Sequence, residues 1–186
     1  MLPRVRFGKT GLEVTRIGLG GYAFGGVNKA RGWDPFTPEG RAAAIITIHA
    51  ALDAGINYID TAPSYGSGNS ETILGEATHG LRDRFVLASK ADLGVAVMRP
   101  LTSGILERLA GYIAPHWQQA HDLYEVALKF VLSDSRVHVA NLGMRWPHEV
   151  HRNVALAQSF RPPFDLANLP RGTADIYRTD DEMHPA

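Results

Sequence analysis

Asn57-Tyr58-Ile59-Asp60-Thr61-Ala62-Pro63-Ser64-Tyr65-Gly66 is the stretch that decides how this chain is read. It puts a carboxylate at the end of an apolar strand and a tyrosine in the loop just beyond. The next strand, Arg84-Phe85-Val86-Leu87-Ala88-Ser89-Lys90, closes on a lysine. Asp60, Tyr65 and Lys90 at the ends of successive strands are what a tyrosine general acid requires. An ammonium beside a phenol favours phenolate, and a carboxylate beside the ammonium fixes it and keeps it charged. Taken singly, each residue has a plainer reading: a strand-end acid, a turn tyrosine, a solvated lysine.

Outward from that stretch the chain alternates strands and helices. Residues 5–7 and 13–15 flank Gly8-Lys9-Thr10-Gly11 as a hairpin. Residues 16–20 form a short strand ending in glycines. Thr37-Pro38-Glu39 supplies a cap, a first-turn proline and an acid near the positive helix end, and Gly55 closes that helix. Ile45, Ile48 and Leu52 share one of its faces, and His49 lies on or near the buried side. Ser70-Glu71 opens a second helix. Strands follow at 85–89 and 95–98, then a helix marked by Leu123, Val126, Ala127, Phe130 and Val131. A strand at 137–142 and a helix from Pro147 complete the series, with residues 161–186 as a surface tail. Alternating βα units argue for a parallel sheet or barrel.

Composition bounds the function. The chain has 186 residues, 45% hydrophobic and 20% charged, as a globular domain with a core does. A net charge of +0 gives no reason to expect nucleic acid or an anionic membrane surface as partner. No cysteine means no disulfide framework and no thiolate metal site. The N-terminal residues lack the apolar stretch of a signal peptide, and no run is long enough to span a bilayer. A cytoplasmic location is the expectation. Among the eight histidines, His116 and His121 are poorly spaced for one metal, and His148 and His151 lack a third ligand, so no metal site is expected.

The two quoted stretches resemble the aldo-keto reductase family. That resemblance implies a (β/α)8 barrel with its site at the C-terminal ends of the strands. It also implies hydride transfer between NAD(P)H and an aldehyde, ketone or sugar carbonyl, with Tyr65 as proton donor, Lys90 tuning it and Asp60 holding Lys90. Gly21 and Tyr22, after the first barrel strand, would lie along cofactor and substrate. Pro100-Leu101-Thr102-Ser103-Gly104 matches the family's pyrophosphate loop, where a hydroxyl and backbone N–H groups at a helix start suit an anion. Gly143, Arg145, Glu149 and Asn153 match its adenosine-phosphate end, with Arg145 placed for a 2′-phosphate and Asn153 for adenine. Glu149 stands where the family often has Gln, so NADP(H) is favoured over NAD(H) only modestly.

The resemblance has a gap. Its N-terminal part ends at Lys90 and its C-terminal part resumes at Leu93, without the several βα units that separate them in the family. The catalytic His and the groups holding the nicotinamide would lie in those units. A barrel of this kind takes about 250 residues and eight strands, whereas five core strands follow the hairpin here. The reading is therefore an incomplete (β/α)8 barrel over residues 1–160. The short link after Ser89 forbids a parallel crossover between adjacent strands. An antiparallel pair, a melted strand or completion by a second copy stay open, with exposed edges and self-association expected. An inactive relic or dinucleotide-binding module is the alternative to an active reductase.

Overall fold

The computed structural model describes residues 1–27, 29, 32–89, 96–98 and 122–160. Two strands, β1 (Arg4–Arg6) and β2 (Glu13–Thr15), pair antiparallel with Val5 opposite Val14. Gly8 and Gly11, both at positive φ, turn the chain between them. The main sheet has five strands: β3 (Ile17–Gly20), β4 (Tyr58–Thr61), β5 (Val86–Ser89), β6 (Ala96–Met98) and β7 (Val139–Leu142). All its pairings are parallel and its order is β5-β4-β3-β7-β6.

Four helices link these strands: α1 (Pro38–Asp53), α2 (Asn69–Ala77), α3 (Leu123–Ser133) and α4 (Pro147–Ser159). Helix α1 starts as its sequence predicts, with the Thr37 hydroxyl accepting from Gly40 N at 3.1 Å. Helix α3 is capped by the Asp122 carboxylate, which accepts from Tyr124 N and Glu125 N. Helix α2 departs from the expectation only in opening at Asn69, one residue before Ser70. Its N-cap is Gly68 in the left-handed region, after Gly66 and Ser67 in the same region. Ser70 is one residue inside the helix and fully buried. His49 also departs: it is exposed, and its Nε2 reaches Ala77 O at 2.7 Å across the α1–α2 contact.

Strand alternation sorts the core into two faces. Ile17, Leu19, Ile59, Ala140 and Leu142 point to the helices and join Ile48, Leu52, Ile73, Leu128 and Val150 in the larger cluster. Tyr58 and Val139 point the other way and meet Phe7 and Val14 of the hairpin, with Val86, Ala88 and Ala96 beside them. The hairpin thus covers one end of the inner face, as Phe7 packs edge-on to Tyr58 at 5.4 Å. Arg16 anchors the same end by donating to Leu132 O at the C-terminus of α3, where a cation complements the helix dipole. Gly18 is obligatory on the inner face, because a Cβ there would lie 2.5 Å from the Tyr58 ring.

The expected pairing problem after Ser89 is resolved in a way the sequence left unlisted. Strands β5 and β6 are parallel but not adjacent; they form the two edges of the sheet. Seven residue steps reach at most about 25 Å, and four inter-strand spacings amount to about 19 Å. Because β5 and β6 are parallel, the path between them must also return along the strands, about 16 Å by register, so the edges of the sheet must curl toward each other. The result is one wall of a barrel, open between β5 and β6. Residues 161–186 and the segment 99–121 lie outside the described residues. No described helix is long and apolar enough to cross a membrane.

Candidate functional site

The C-terminal ends of β3, β4 and β7 meet at one rim. Strand β3 runs directly into a short 3-10 turn, Gly21–Gly25, that packs on the loop after β4. The contact is backbone to backbone. A Cβ on Gly25 would lie 2.8 Å from Gly66 N and Tyr65 C, and one on Gly21 would lie 2.6 Å from Asp60 O. Only glycine permits this approach.

Neutral hydrogen bonds close the rim above β4. The Ser70 hydroxyl donates to Gly21 O at 2.9 Å and lies 3.0 Å from Thr61 Oγ1. Asn69 Nδ2 donates to Phe24 O at 2.9 Å. Within this frame Tyr65 is 7% exposed, its ring edge-on to Tyr22 at a centroid distance of 5.1 Å. Asp60 is 5% exposed on the inner face, level with Gly20 of β3 and Ala88 of β5. Tyr58, two residues before it on the same face, has its phenol pushed up to about 12 by burial and then by the Asp60 charge. The structure thus brings Asp60, Gly21, Tyr22 and Tyr65 to one rim. Lys90, Pro100, Leu101, Thr102 and Gly104 lie outside the described residues.

The rim above β7 is charged. Gly143, exposed, leads to the buried Met144 and then to Arg145 at the start of α4. The Thr47 hydroxyl of α1 donates to Arg145 O at 2.7 Å and pins this turn. Trp146 packs edge-on to the buried Trp33 at 4.9 Å, and Trp33 Nε1 donates to Ala23 O, so the two rims are joined. Arg145 and Glu149 do not stand apart. The guanidinium meets Glu149 Oε1 at 2.8 Å, while Glu149 Oε2 accepts from Arg145 N at 2.6 Å and Trp146 N at 3.2 Å. Burial pushes the Glu149 carboxyl up, and these donors outweigh it, so it sits below the usual carboxylate range.

Asn153, one turn along α4, is 1% exposed. Its Oδ1 accepts from the Tyr124 hydroxyl at 2.5 Å, and its Nδ2 has no partner among the described residues. Tyr124 is pushed up to about 12 by burial, and the Arg152 guanidinium stacks over its ring at 4.4 Å.

Two groups escaped the sequence reading. Tyr124 is an ordinary aromatic of a helix until Asn153 is placed beside it. Asn141 is a polar residue on the inner face of β7, 4% exposed, whose Oδ1 has no partner among the described residues. Its amide lies over Gly20, where a Cβ would approach Oδ1 to 3.3 Å. The signal was present: Asn141 alternates with the outward Ala140 and Leu142. Among the described residues no three His, Asp or Glu side chains gather as a metal site.

Comparison with known proteins agrees with this geometry. The chain is 50% identical over 86 residues to the aldo-keto reductase YhdN of Bacillus subtilis, covering 45% of this chain and 24% of that one. It is 34% identical over 137 residues to the 6-dehydroglucose reductase of Novosphingobium aromaticivorans, covering 69% of this chain and 36% of that one. The chain spans about a quarter of the length of the first curated relatives it matches. Among solved structures, an aldo-keto reductase from Klebsiella pneumoniae in complex with NADPH superposes with a TM-score of 0.65. That match has 16% identity and covers 96% of this chain and 95% of that one. Likeness at that identity speaks for the fold, a partial barrel of the same type. The sequence model of the aldo/keto reductase family matches residues 16–108, half of the chain, and to that family the chain belongs.

Proposed function

We propose that this chain carries out, or descends from a protein that carried out, hydride transfer between NAD(P)H and an aldehyde, ketone or sugar carbonyl. The observation that supports this best is the rim above β4. Tyr65 is buried there, its backbone in close contact with Gly25, on the same rim as the buried Asp60 near the end of β4. Tyr65 donates the proton to the carbonyl oxygen, Lys90 favours its phenolate, and Asp60 holds Lys90. The bound nicotinamide supplies the hydride.

The residues present fit the adenosine half of that cofactor. Asn153 offers a buried amide donor without an acceptor, and Arg145 stands at a helix N-terminus. Gly21 and Tyr22 flank the cofactor's path, residues Pro100 to Gly104 hold the pyrophosphate, and Gly143, Arg145, Glu149 and Asn153 hold the adenosine end. Arg145 favours NADP(H) over NAD(H) only modestly, because Glu149 stands beside it.

Titration with NADPH followed by fluorescence, beside turnover of a panel of aldehydes, tests the reading. Tyr65→Phe should abolish turnover and leave NADPH affinity unchanged; equal turnover by the variant would remove Tyr65 from the chemistry. A second reading is favoured by the short span of the chain against its relatives: a dinucleotide-binding remnant without turnover. Binding of NADPH by a chain that reduces none of the aldehydes would select it.

The same reading makes the outer edges of β5 and β6 the contact between copies. Both strands are unpaired on one side in the described sheet, and Leu87 on β5 is 41% exposed. Light scattering should find a dimer or larger species, and a monodisperse monomer would overturn this.

A further inference from the structure

We propose that Glu149 sets the cofactor preference of this chain by occupying, from within, the anion position that a ribose 2′-phosphate would take. This rests on the reading that Arg145 faces the adenosine end of a dinucleotide. The donor set is specific. One guanidinium N–H and two consecutive backbone N–H groups converge on the two oxygens of the Glu149 carboxylate, at 2.8, 2.6 and 3.2 Å. A guanidinium beside backbone N–H groups at a helix N-terminus is a site for a phosphate as much as for a carboxylate. The Thr47 hydroxyl fixes the Arg145 carbonyl from α1, so the donors are held in place whatever accepts from them.

A second observation marks the position as a ligand site rather than a mere helix cap. Asn153 lies four residues further on α4, on the same face. It is buried, its oxygen is committed to Tyr124, and its Nδ2 has no acceptor among the described residues. A buried amide N–H left without a partner is costly, and an acceptor brought by a ligand, such as a purine ring nitrogen, satisfies it.

The consequence is a competition. A 2′-phosphate entering this position meets a carboxylate already holding all three donors. Either Glu149 swings out and gives up three charge-assisted hydrogen bonds, or the phosphate binds beside a like charge. A ribose 2′-hydroxyl meets neither obstacle and can donate to the carboxylate. Glu149 therefore narrows the advantage that Arg145 would otherwise confer on the phosphorylated cofactor.

The test uses adenosine-half probes on the full chain, so that the nicotinamide end does not enter. Affinities for 2′,5′-ADP and 5′-AMP are measured by calorimetry for the parent protein, Glu149→Gln, Glu149→Asp and Glu149→Gln combined with Arg145→Ala. Glu149→Gln should raise the ratio of 2′,5′-ADP affinity to 5′-AMP affinity about tenfold over the parent, through tighter binding of 2′,5′-ADP. Adding Arg145→Ala should erase the gain. Glu149→Asp keeps the charge but withdraws it from the guanidinium. It should show a smaller gain of the same sign, and it serves if the Gln variant melts early. If both variants bind 2′,5′-ADP no better than the parent while 5′-AMP binding persists, Glu149 is only a helix cap and the inference fails alone. If neither probe binds any of the proteins, the adenosine-site reading fails and takes this inference with it.

Discussion

The rims above β4 and above β7 sit on either side of β3 in the same sheet, yet different forces hold them. The first is closed by neutral hydroxyls, an amide and glycine contacts, with Ser70, Thr61 and Asn69 all bonding across it. The second is closed by charge, with Arg145 on Glu149 and Arg152 on Asp122. The hydrogen bonds that close the first rim are neutral, so neither salt nor moderate pH acts on them directly; its one charged group is the buried Asp60 on the inner face. A charged rim is adjustable, because its donors accept any anion of the right size. Placement for proton transfer and placement for a phosphate thus ask for different chemistry, and the two halves of the chain supply one each.

The seam between the halves gives the sharpest test of whether they are one unit. Leu142 lies on β7, paired against β3 and buried in the common core. Leu142→Ala should destabilise by about 2–5 kcal/mol, the usual range for a core Leu. Helix circular dichroism and tryptophan fluorescence should then report one coincident urea transition. Two separated transitions would show the halves folding independently.

The neutral rim can be broken at its closest approach. Gly25→Val places a branched side chain against the backbone of residues 65 and 66 and should cost about 1–3 kcal/mol by overpacking. It should also displace Tyr65, so any turnover falls with stability. A variant as stable and active as the parent would show that this contact does not position the tyrosine.

A smaller pair of changes contrasts the two rims through pH. Ser70→Ala should cost about 1 kcal/mol by the same amount from pH 4 to pH 8, because nothing in its network titrates there. Glu149→Gln should cost about 1 kcal/mol at neutral pH through its cap and ion pair. The folded Glu149 carboxyl lies below its ordinary value of 4.5. Its contribution is therefore complete above about pH 4.5 and is lost as pH falls through the folded value. The difference between parent and Glu149→Gln should shrink under acid. A difference that stays constant down to pH 3 would contradict the pairing.

The smallest effect belongs to Arg136. It holds the Asp134 carboxyl down at about 2, through side-chain and backbone hydrogen bonds, but the guanidinium is exposed and the carboxylate is open to water on one side. Arg136→Ala should leave the urea midpoint where it was, since exposed pairs of this kind are screened by water. A clear shift would mean that the turn before β7 matters more to the seam than its exposure implies.

Much of the fold was legible because punctuation residues mark it. Thr37-Pro38, Gly55 and Pro147 set helix limits by mechanisms that act within a few residues, and strand positions followed from short apolar runs between them. Ser70 marked a helix start correctly to within one residue, but only the approach of Gly21 makes it a buried bridge, which no local pattern shows. His49 misled because the helical period puts it beside Ile48, where a small rotation decides exposure. Sheet order was not legible. The short link excluded adjacency of β5 and β6, but that they take opposite edges depends on β3 pairing with β7, a contact between distant parts of the chain. In the site, the four-residue spacing of Arg145 and Glu149 was itself the signal of an ion pair, and their resemblance to cofactor ligands drew attention from each other.

That distant pairing also sets a schedule for synthesis. Ile17 lies beside Ala140, so the central strand of the sheet acquires its second neighbour only after roughly 120 more residues have left the ribosome, some 6–24 s at 5–20 residues per second. Through that interval β3 presents one edge of unpaired N–H and C=O groups, flanked by the apolar side chains of Ile17 and Leu19. Such an edge is a template for pairing with another chain. The nascent protein is therefore most vulnerable in the middle of its production, and slowing elongation before β7 should lower its soluble yield more than slowing it afterwards.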